Sequence, residues 1–382
     1  MQTEFDAADH RFMARALRLA ERGRYTTDPN PCVGCVLVRD GEVVGEGWHR
    51  KAGQAHAERI ALQAAGAAAQ GATAYVTLEP CAHHGRTPPC AEALVEAGVA
   101  RVVAAIADPN PLVAGGGLAL LRAAGIETRV GLLAGDAQAL NPGFLRRMRD
   151  NRPLVRCKLA MSLDGRTAMA SGESKWITGD AARHDVQLLR ARSSAIVTGI
   201  GTLLADDPSL NVRLGSESLP GVESDADLRQ PLRVVVDTRL RTPPRARLLH
   251  LPGDTLVVCG DGAAQESEQE LRAVGAEVVR LPQLGGRIDL QRLLQALAAR
   301  GVNELLVESG PTLAGRFIEA GLVDELIVYL APHLMGHAAR GLVDLPGLET
   351  MQQRIELALH DVRRVGADLR LTLLPRVRSG TD

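Results

Sequence analysis

The stretch TLEPCAHHGRTPPC (residues 77–90), taken with His56-Ala57-Glu58 upstream of it, decides how the N-terminal half of the chain is read. A catalytic zinc takes three protein ligands and keeps its fourth position for water. His56, Cys81 and Cys90 offer one imidazole and two thiolates, a donor set of suitable softness. Zinc brings the pKa of water to about 7, so a hydroxide nucleophile exists at neutral pH. A carboxylate must then move protons, and Glu58 stands two residues from a ligand without belonging to the set. This order, His-x-Glu and then Pro-Cys, is that of the zinc deaminases. Their generic form spaces the cysteines Cys-x-x-Cys, whereas here eight residues intervene. His83 and His84 lie in that gap, and either as a fourth ligand would make the site structural. Cys90 completes a three-ligand set without them.

Outward from these residues, helix-like and strand-like patterns alternate. Apolar residues at helical spacing (Phe12, Ala16, Leu19, Ala20) predict a helix over 5–23. Strands are expected over 32–38 and 42–48, joined at Asp40-Gly41. An Ala-rich helix over 56–69 and a strand over 74–78 come next. They are followed by a helix over 91–97, a strand over 101–107 and a helix over 117–124. This alternation predicts an α/β layer. Cys32-Val33-Gly34-Cys35 has the spacing of a redox motif. It lies in an apolar strand and is read as two buried structural thiols.

The chain has 382 residues, which suggests two domains. The Arg-rich, two-proline stretch 141–153 is the expected boundary, giving domains 1–150 and 151–382. Formal net charge is −1, so no global field draws in nucleic acid or an anionic membrane. Aromatic residues are only 2%, too few to stack bases along a strand. With no spanning apolar run, no signal segment and too few cysteines for a disulfide scaffold, the expectation is a cytoplasmic enzyme of small molecules.

The second half predicts strands over 154–159, 195–198, 233–236, 256–259, 277–281, 305–307 and 325–330, with helices between several of them. The polar stretch 215–229 is expected as a surface loop. No Gly-x-Gly-x-x-Gly follows a strand, which disfavours the Rossmann arrangement. Instead the strand ending at Glu308 runs into Ser309-Gly310-Pro311, a glycine turn opening a helix. Such a turn can present N–H groups to a phosphate, with Pro311 near the first helical position.

Eight blocks make the chain resemble a known family, the bifunctional deaminase/reductase of riboflavin synthesis. In the first half they are DPNPCVGCVLV (28–38), HAE (56–58), TLEPCAHHGRTPPC (77–90) and DPNPLVAGGG (108–117). In the second they are KLAMSLDGRTAMASGESKWIT (158–178), TLLADDPSLNVR (202–213), VESGPTLAGRF (307–317) and VDELIVYLAPHLMG (323–336). The resemblance implies a cytidine-deaminase-like α/β/α domain followed by a dihydrofolate-reductase-like α/β domain, using Zn2+ and NADPH. It implies hydrolysis of the exocyclic amine of 2,5-diamino-6-(5-phosphoribosylamino)pyrimidin-4-one, then reduction of the ribosyl group to ribityl. It makes His56, Cys81 and Cys90 the zinc ligands and Glu58 the proton shuttle, with Asn30, His49, His83 and Arg86 lining the deaminase pocket.

In the second half the resemblance assigns Ala160, Trp176, Thr202, Asp206, Thr238 and the run Gly310, Pro311, Thr312, Leu313, Ala314, Gly315, Arg316 to the cofactor. It assigns Ser174, Arg190, Leu210, Arg213 and Glu308 to the reductase substrate, the two arginines as a phosphate clamp. Asp206 or Glu308 is expected to assist ring opening. Where Gly116 stands the family usually has a basic residue, which bears on phosphate affinity in the deaminase half. The family also implies assembly into oligomers, for which this sequence shows no heptads. Two other readings remain open on the residues alone: a nucleoside or nucleic-acid deaminase with an accessory domain, and a non-catalytic zinc scaffold. A bifunctional chain with one inactive half is a narrower third.

Overall fold

The structure is a computed structural model and describes residues 5–82, 89–110 and 114–376. The chain forms two compact units, Met1–Asn151 with Gly215–Arg229, and Arg152–Leu214 with Gln230–Asp382.

The first unit carries β1 (Gly34–Arg39), β2 (Glu42–Trp48), β3 (Thr73–Val76), β4 (Arg101–Ala104) and β5 (Glu127–Val130) in the order β2-β1-β3-β4-β5. β1 runs antiparallel to β2 and β3, and β3, β4 and β5 are parallel. Its helices are α1 (Ala7–Glu21), α2 (Ala57–Ala65), α3 (Cys90–Glu96), α4 (Gly116–Ala123), α5 (Ala134–Leu140) and α6 (Pro142–Asp150). Phe12, Met13, Ala137, Phe144 and Leu145 bring α1, α5 and α6 to one face. Ala57, Ala61, Ala91, Leu94 and Leu121 bring α2, α3 and α4 to the other.

The Asp40-Gly41 turn has φ of 50° and 81°, as a tight hairpin of matching twist requires. β5, α5 and α6 were not foreseen. The second proline of 141–153 follows α6, while Pro142 begins it, where a missing N–H costs little. Close approach matters along β2: a Cβ on Gly45 would lie 2.3 Å from the Ala61 carbonyl oxygen, so glycine lets α2 pack directly on the strand. The segment Gly215–Arg229 belongs with this unit rather than standing as a loop of the second half. Lys51 meets Asp227 at 3.0 Å and Arg229 approaches Asp28 at 3.7 Å.

The second unit contains β6 (Leu154–Ser162), β7 (Arg166–Ala168), β8 (Ala195–Gly199), β9 (Leu232–Val236), β10 (Thr255–Cys259), β11 (Glu277–Arg280), β12 (Gln283–Leu284), β13 (Arg287–Ile288), β14 (Glu304–Val307), β15 (Glu325–Ala331), β16 (Arg340–Gly341), β17 (Leu357–Val365) and β18 (Asp368–Pro375). Its main sheet has the order β11-β10-β9-β8-β14-β6-β15-β18-β17, parallel as far as β15 and antiparallel beyond. Helices α10 (Leu290–Ala299) and α11 (Pro311–Glu319) cover one face, and α7 (Asp180–Arg192), α8 (Ile200–Asp206) and α9 (Gln265–Ala273) the other. The expected strands are all present. The antiparallel pair β17–β18 is an addition: the sequence LALHDVRRV lacks a clean period of two, and most of β17 is exposed. Among the described residues no helix is long and apolar enough to cross a membrane.

Candidate active sites

The first site is built on two helix starts and one strand exit. His56 is the N-cap of α2 with extended backbone, and Glu58 lies in its first turn. Cys90 is the first residue of α3, and Cys81 follows the exit of β3. The ligand atoms of His56, Cys81 and Cys90 lie within 4.8 Å of one another. His56 Nδ1 is 3.6 Å from Cys81 Sγ and 3.3 Å from Cys90 Sγ. Tetrahedral zinc with ordinary Zn–S and Zn–N lengths sets these separations at roughly 3.5 Å, so the donor set fits the ion. No fourth side chain joins the cluster among the described residues; His83, His84 and Arg86 lie outside them.

The electrostatics match. Hydrogen bonds from Cys90 and His56 lower the Cys81 thiol to about 4, against its burial. The Cys90 N–H donates to Cys81 Sγ at 3.3 Å. Cys90 is pushed up by Cys81 and by burial, because two adjacent thiolates without a cation repel. Hydrogen bonding to Cys81 raises His56. Glu58 is 4% exposed, and burial raises its carboxyl to about 7. A carboxyl poised there can both take and give a proton near neutrality.

His49 is buried beside His56, the rings edge to face at 5.3 Å between centroids. Its Nδ1 donates to Ala55 O at 3.1 Å, leaving Nε2 to accept from Asn30 Nδ2 at 3.0 Å. Burial lowers its pKa and favours this neutral form. Asn30 and His49 are thus joined, and the Asn30 carbonyl stays available to a ring edge. Cys32 and Cys35 are buried cysteines outside any disulfide; burial raises Cys35 well above the usual range, an inert environment.

The second constellation gathers at the carboxyl ends of the parallel strands, where open α/β sheets bind ligands. Arg190 grips Glu308 bidentately, Nε to Oε1 at 2.6 Å and Nη2 to Oε2 at 2.9 Å, and its Nη1 donates to Asn211 O at 3.2 Å. The fork expected to clamp phosphate together with Arg213 is therefore engaged by a carboxylate, and Arg213 remains as the exposed cation. Burial alone would raise Glu308, but Arg190 outweighs it and holds the carboxyl below its usual range.

Lys158 on β6 was missed by sequence reasoning. It is half-buried beside Glu308 and Arg190, and desolvation lowers its pKa. The signal was partial: a lysine in a central strand whose other residues, apart from Arg156 and Ser162, are apolar. Leu210 is buried with φ of 45°, a backbone region a branched side chain rarely adopts. Ser174 and Asp206 are half-buried, and Trp176 is 69% exposed with the Arg183 guanidinium 4.7 Å from its ring centre.

At the start of α11 the Gly310 N–H donates to Thr202 Oγ1 at 2.9 Å, joining two expected cofactor positions. Leu313 and Ala314 point into the core, and a Cβ on Gly315 would lie 2.0 Å from Asp344 O. Backbone groups, not these side chains, face outward at this turn. Arg316 donates to Ile288 O at 2.7 Å. Ala160 packs at the edge of the core, and the Thr238 carbonyl accepts from Gly260 N at 3.1 Å.

This combination of a zinc-type deaminase site and a separate parallel-sheet unit defines a two-headed α/β enzyme. Residues 6–106 match the cytidine and deoxycytidylate deaminase zinc-binding region, and residues 153–371 match the RibD C-terminal domain. Riboflavin biosynthesis protein RibD of Escherichia coli (strain K12) is 52% identical over 368 residues, 96% of this chain and 99% of that protein. The RibD of Haemophilus influenzae is 51% identical over 98% of this chain and 99% of its own length. Acinetobacter baumannii RibD superimposes with a TM-score of 0.89 at 48% identity, covering 97% of this chain and 99% of that one. A diaminohydroxyphosphoribosylaminopyrimidine deaminase/5-amino-6-(5-phosphoribosylamino)uracil reductase from Thermotoga maritima gives 0.81 at 31% identity, with 97% and 99% covered.

The chain belongs to the RibD family of riboflavin biosynthesis proteins. It is a bifunctional enzyme, a zinc-dependent deaminase and an NADPH-dependent reductase, with a cytidine-deaminase-like first unit and a RibD C-terminal reductase domain as the second.

Proposed function

We propose that the first unit deaminates 2,5-diamino-6-(5-phosphoribosylamino)pyrimidin-4-one and that the second reduces the ribosyl group of the resulting uracil to ribityl. The observation that carries the first step is the convergence of His56, Cys81 and Cys90 with a buried carboxyl at Glu58. These three residues would hold zinc, which would supply the Lewis acidity that brings water into nucleophilic range. The Glu58 carboxylate takes a proton from the attacking water and returns one to the leaving amine, so that water and the amino group become a ring carbonyl and ammonia. Asn30, fixed through His49, reads the ring edge. The proposed deaminase domain is residues 1–150, and the reductase domain 151–382.

In the second unit NADPH supplies the hydride. Ala160, Trp176, Thr202, Asp206, Thr238 and the run Gly310–Arg316 would hold it; Ser174, Leu210 and Arg213 would hold the substrate. The ribosylamine ring opens to an imine, and hydride adds at the former anomeric carbon. Glu308, kept ionised by Arg190, faces the positive charge that develops on the imine. An ionised carboxyl cannot donate the proton for ring opening; Lys158, half-buried next to it, gives that proton to the ring oxygen.

Purified protein given the diaminopyrimidine nucleotide should release ammonia with or without NADPH, and oxidise NADPH only when it is supplied. Release of ammonia from cytidine or tRNA but not from this nucleotide would overturn the substrate. Lys158→Gln should lose NADPH oxidation while Asp206→Asn keeps most of it; the reverse pattern moves the acid to Asp206.

A further inference from the structure

We propose that Glu79 is a positioning residue for the metal: its carboxylate fastens the start of α4 to the turn that presents Cys81, and so sets how firmly that thiolate is held on zinc. The inference rests on the reading of His56, Cys81 and Cys90 as ligands. Glu79 precedes Pro80-Cys81 and is 3% exposed. Among the described residues its side chain's partners are backbone N–H groups. Oε2 accepts from Asp108 N and Gly115 N, each at 3.1 Å, and Oε1 accepts from Leu118 N at 3.2 Å. Its own N–H donates to Ile106 O at 2.9 Å.

A helix start leaves N–H groups without partners, and the residue at the N-cap ordinarily satisfies one with its side chain. The N-cap of α4 is Gly115, which has no side chain and a φ of 77°. The cap comes instead from Glu79, 36 residues earlier and in the ligand turn itself. Capping α4 and bracing the Cys81 turn are therefore one contact. The backbones also touch: a Cβ on Gly117 would lie 1.8 Å from Pro80 O. On its other side Cys81 is held by the start of α3, its carbonyl accepting from Ala91 N at 3.1 Å and its Sγ from Cys90 N at 3.3 Å. The ligand turn is clamped between two helix starts, and Glu79 supplies the α4 half of the clamp.

Partners of metal ligands beyond the coordination sphere change metal affinity or activity by about 10–100-fold when removed. Glu79→Gln can keep the two bonds at Oε2, but its amide NH2 opposes the Leu118 N–H; Glu79→Ala loses all three bonds. The test measures zinc loss to a chelator, kcat and KM for ammonia release, and NADPH oxidation on the deaminated nucleotide. The last reports the reductase unit of the same chain and serves as the internal control. Zinc should leave Glu79→Gln about tenfold faster, and Glu79→Ala faster still, with a fall in deaminase kcat that excess zinc partly restores and reductase turnover within twofold of the parent. Parent-like zinc retention, kcat and KM in Glu79→Gln would overturn the proposal, as would a lowered melting temperature with zinc retention unchanged. If Glu79→Ala does not accumulate, the isosteric Gln variant decides alone. A parent protein that holds no zinc would instead refute the ligand assignment on which this rests.

Discussion

The two units reach their chemistry by different routes. In the first, the donors and the proton carrier fall within residues 56–90 and are delivered by two helix starts and a strand exit. In the second, the charged cluster draws Lys158 from β6, Arg190 from α7 and Glu308 from the end of β14. A metal site can be compact in sequence because one helix turn places a ligand and a base a few ångströms apart. A hydride-transfer site must span an extended cofactor, so its residues come from the ends of several strands. The first kind is legible as a motif, and the second emerges only when the sheet is assembled.

Separate disruption of each unit would sharpen that contrast. The largest effect is expected from Glu58→Gln. Ammonia release should fall by about 10²–10⁴-fold, the range for a positioned acid/base, with zinc content intact and reductase turnover on the deaminated nucleotide unchanged. If reductase turnover fell in parallel, the two sites would not be independent. Glu308→Gln is the counterpart. It leaves the Arg190 guanidinium largely buried without its carboxylate, at a cost of about 3 kcal/mol to the second unit in a denaturation series. NADPH oxidation should be lost while ammonia release persists.

Stability at low pH separates the units further. Burial alone would raise Glu304, but Arg156 and Arg192 outweigh it and hold its carboxyl at about 2, below the 4.5 of a free glutamate. A depressed carboxyl contributes stability that is present above the unfolded value and lost as pH falls through the folded one. The second unit should therefore lose about 3 kcal/mol between pH 4.5 and about 2. Glu304→Gln should flatten that slope in acid titrations followed by circular dichroism; an unchanged slope would assign it to other carboxyls. The smallest effect is expected where Gly215–Arg229 joins the first unit. Lys51 and Asp227 are 44% and 37% exposed, so Asp227→Ala should leave the thermal melting temperature nearly unchanged. A marked drop would mean that this segment braces the Asn30–His49 wall.

The zinc cluster was readable before any fold was known, because His, Glu and Cys at those spacings have few other joint uses. Asn30 and His49 came from resemblance, and the bond between them needed coordinates. Glu79 and Lys158 were on the page as letters without a role. A buried carboxylate that takes three N–H groups from segments beyond residue 106, and a lysine facing an ion pair made by residues 190 and 308, cannot be inferred from local patterns. Pro142 was read as a boundary mark and begins a helix, since proline breaks a helix only from inside it. The edge strand β17 carries no alternation because neither of its faces is deeply buried.

Sequence by itself pointed to the proposed donor set and acid/base residue, and determined the α/β alternation and the membership of the chain in its family. Those depend on residue chemistry and on periods of two or a few residues, which local order records. The tertiary structure decided what Arg190 grips, which carboxylate braces the ligand turn, and that 215–229 packs with the first unit. Hydrogen bonds and ion pairs between residues far apart in sequence form only after strands and helices have brought them within a few ångströms.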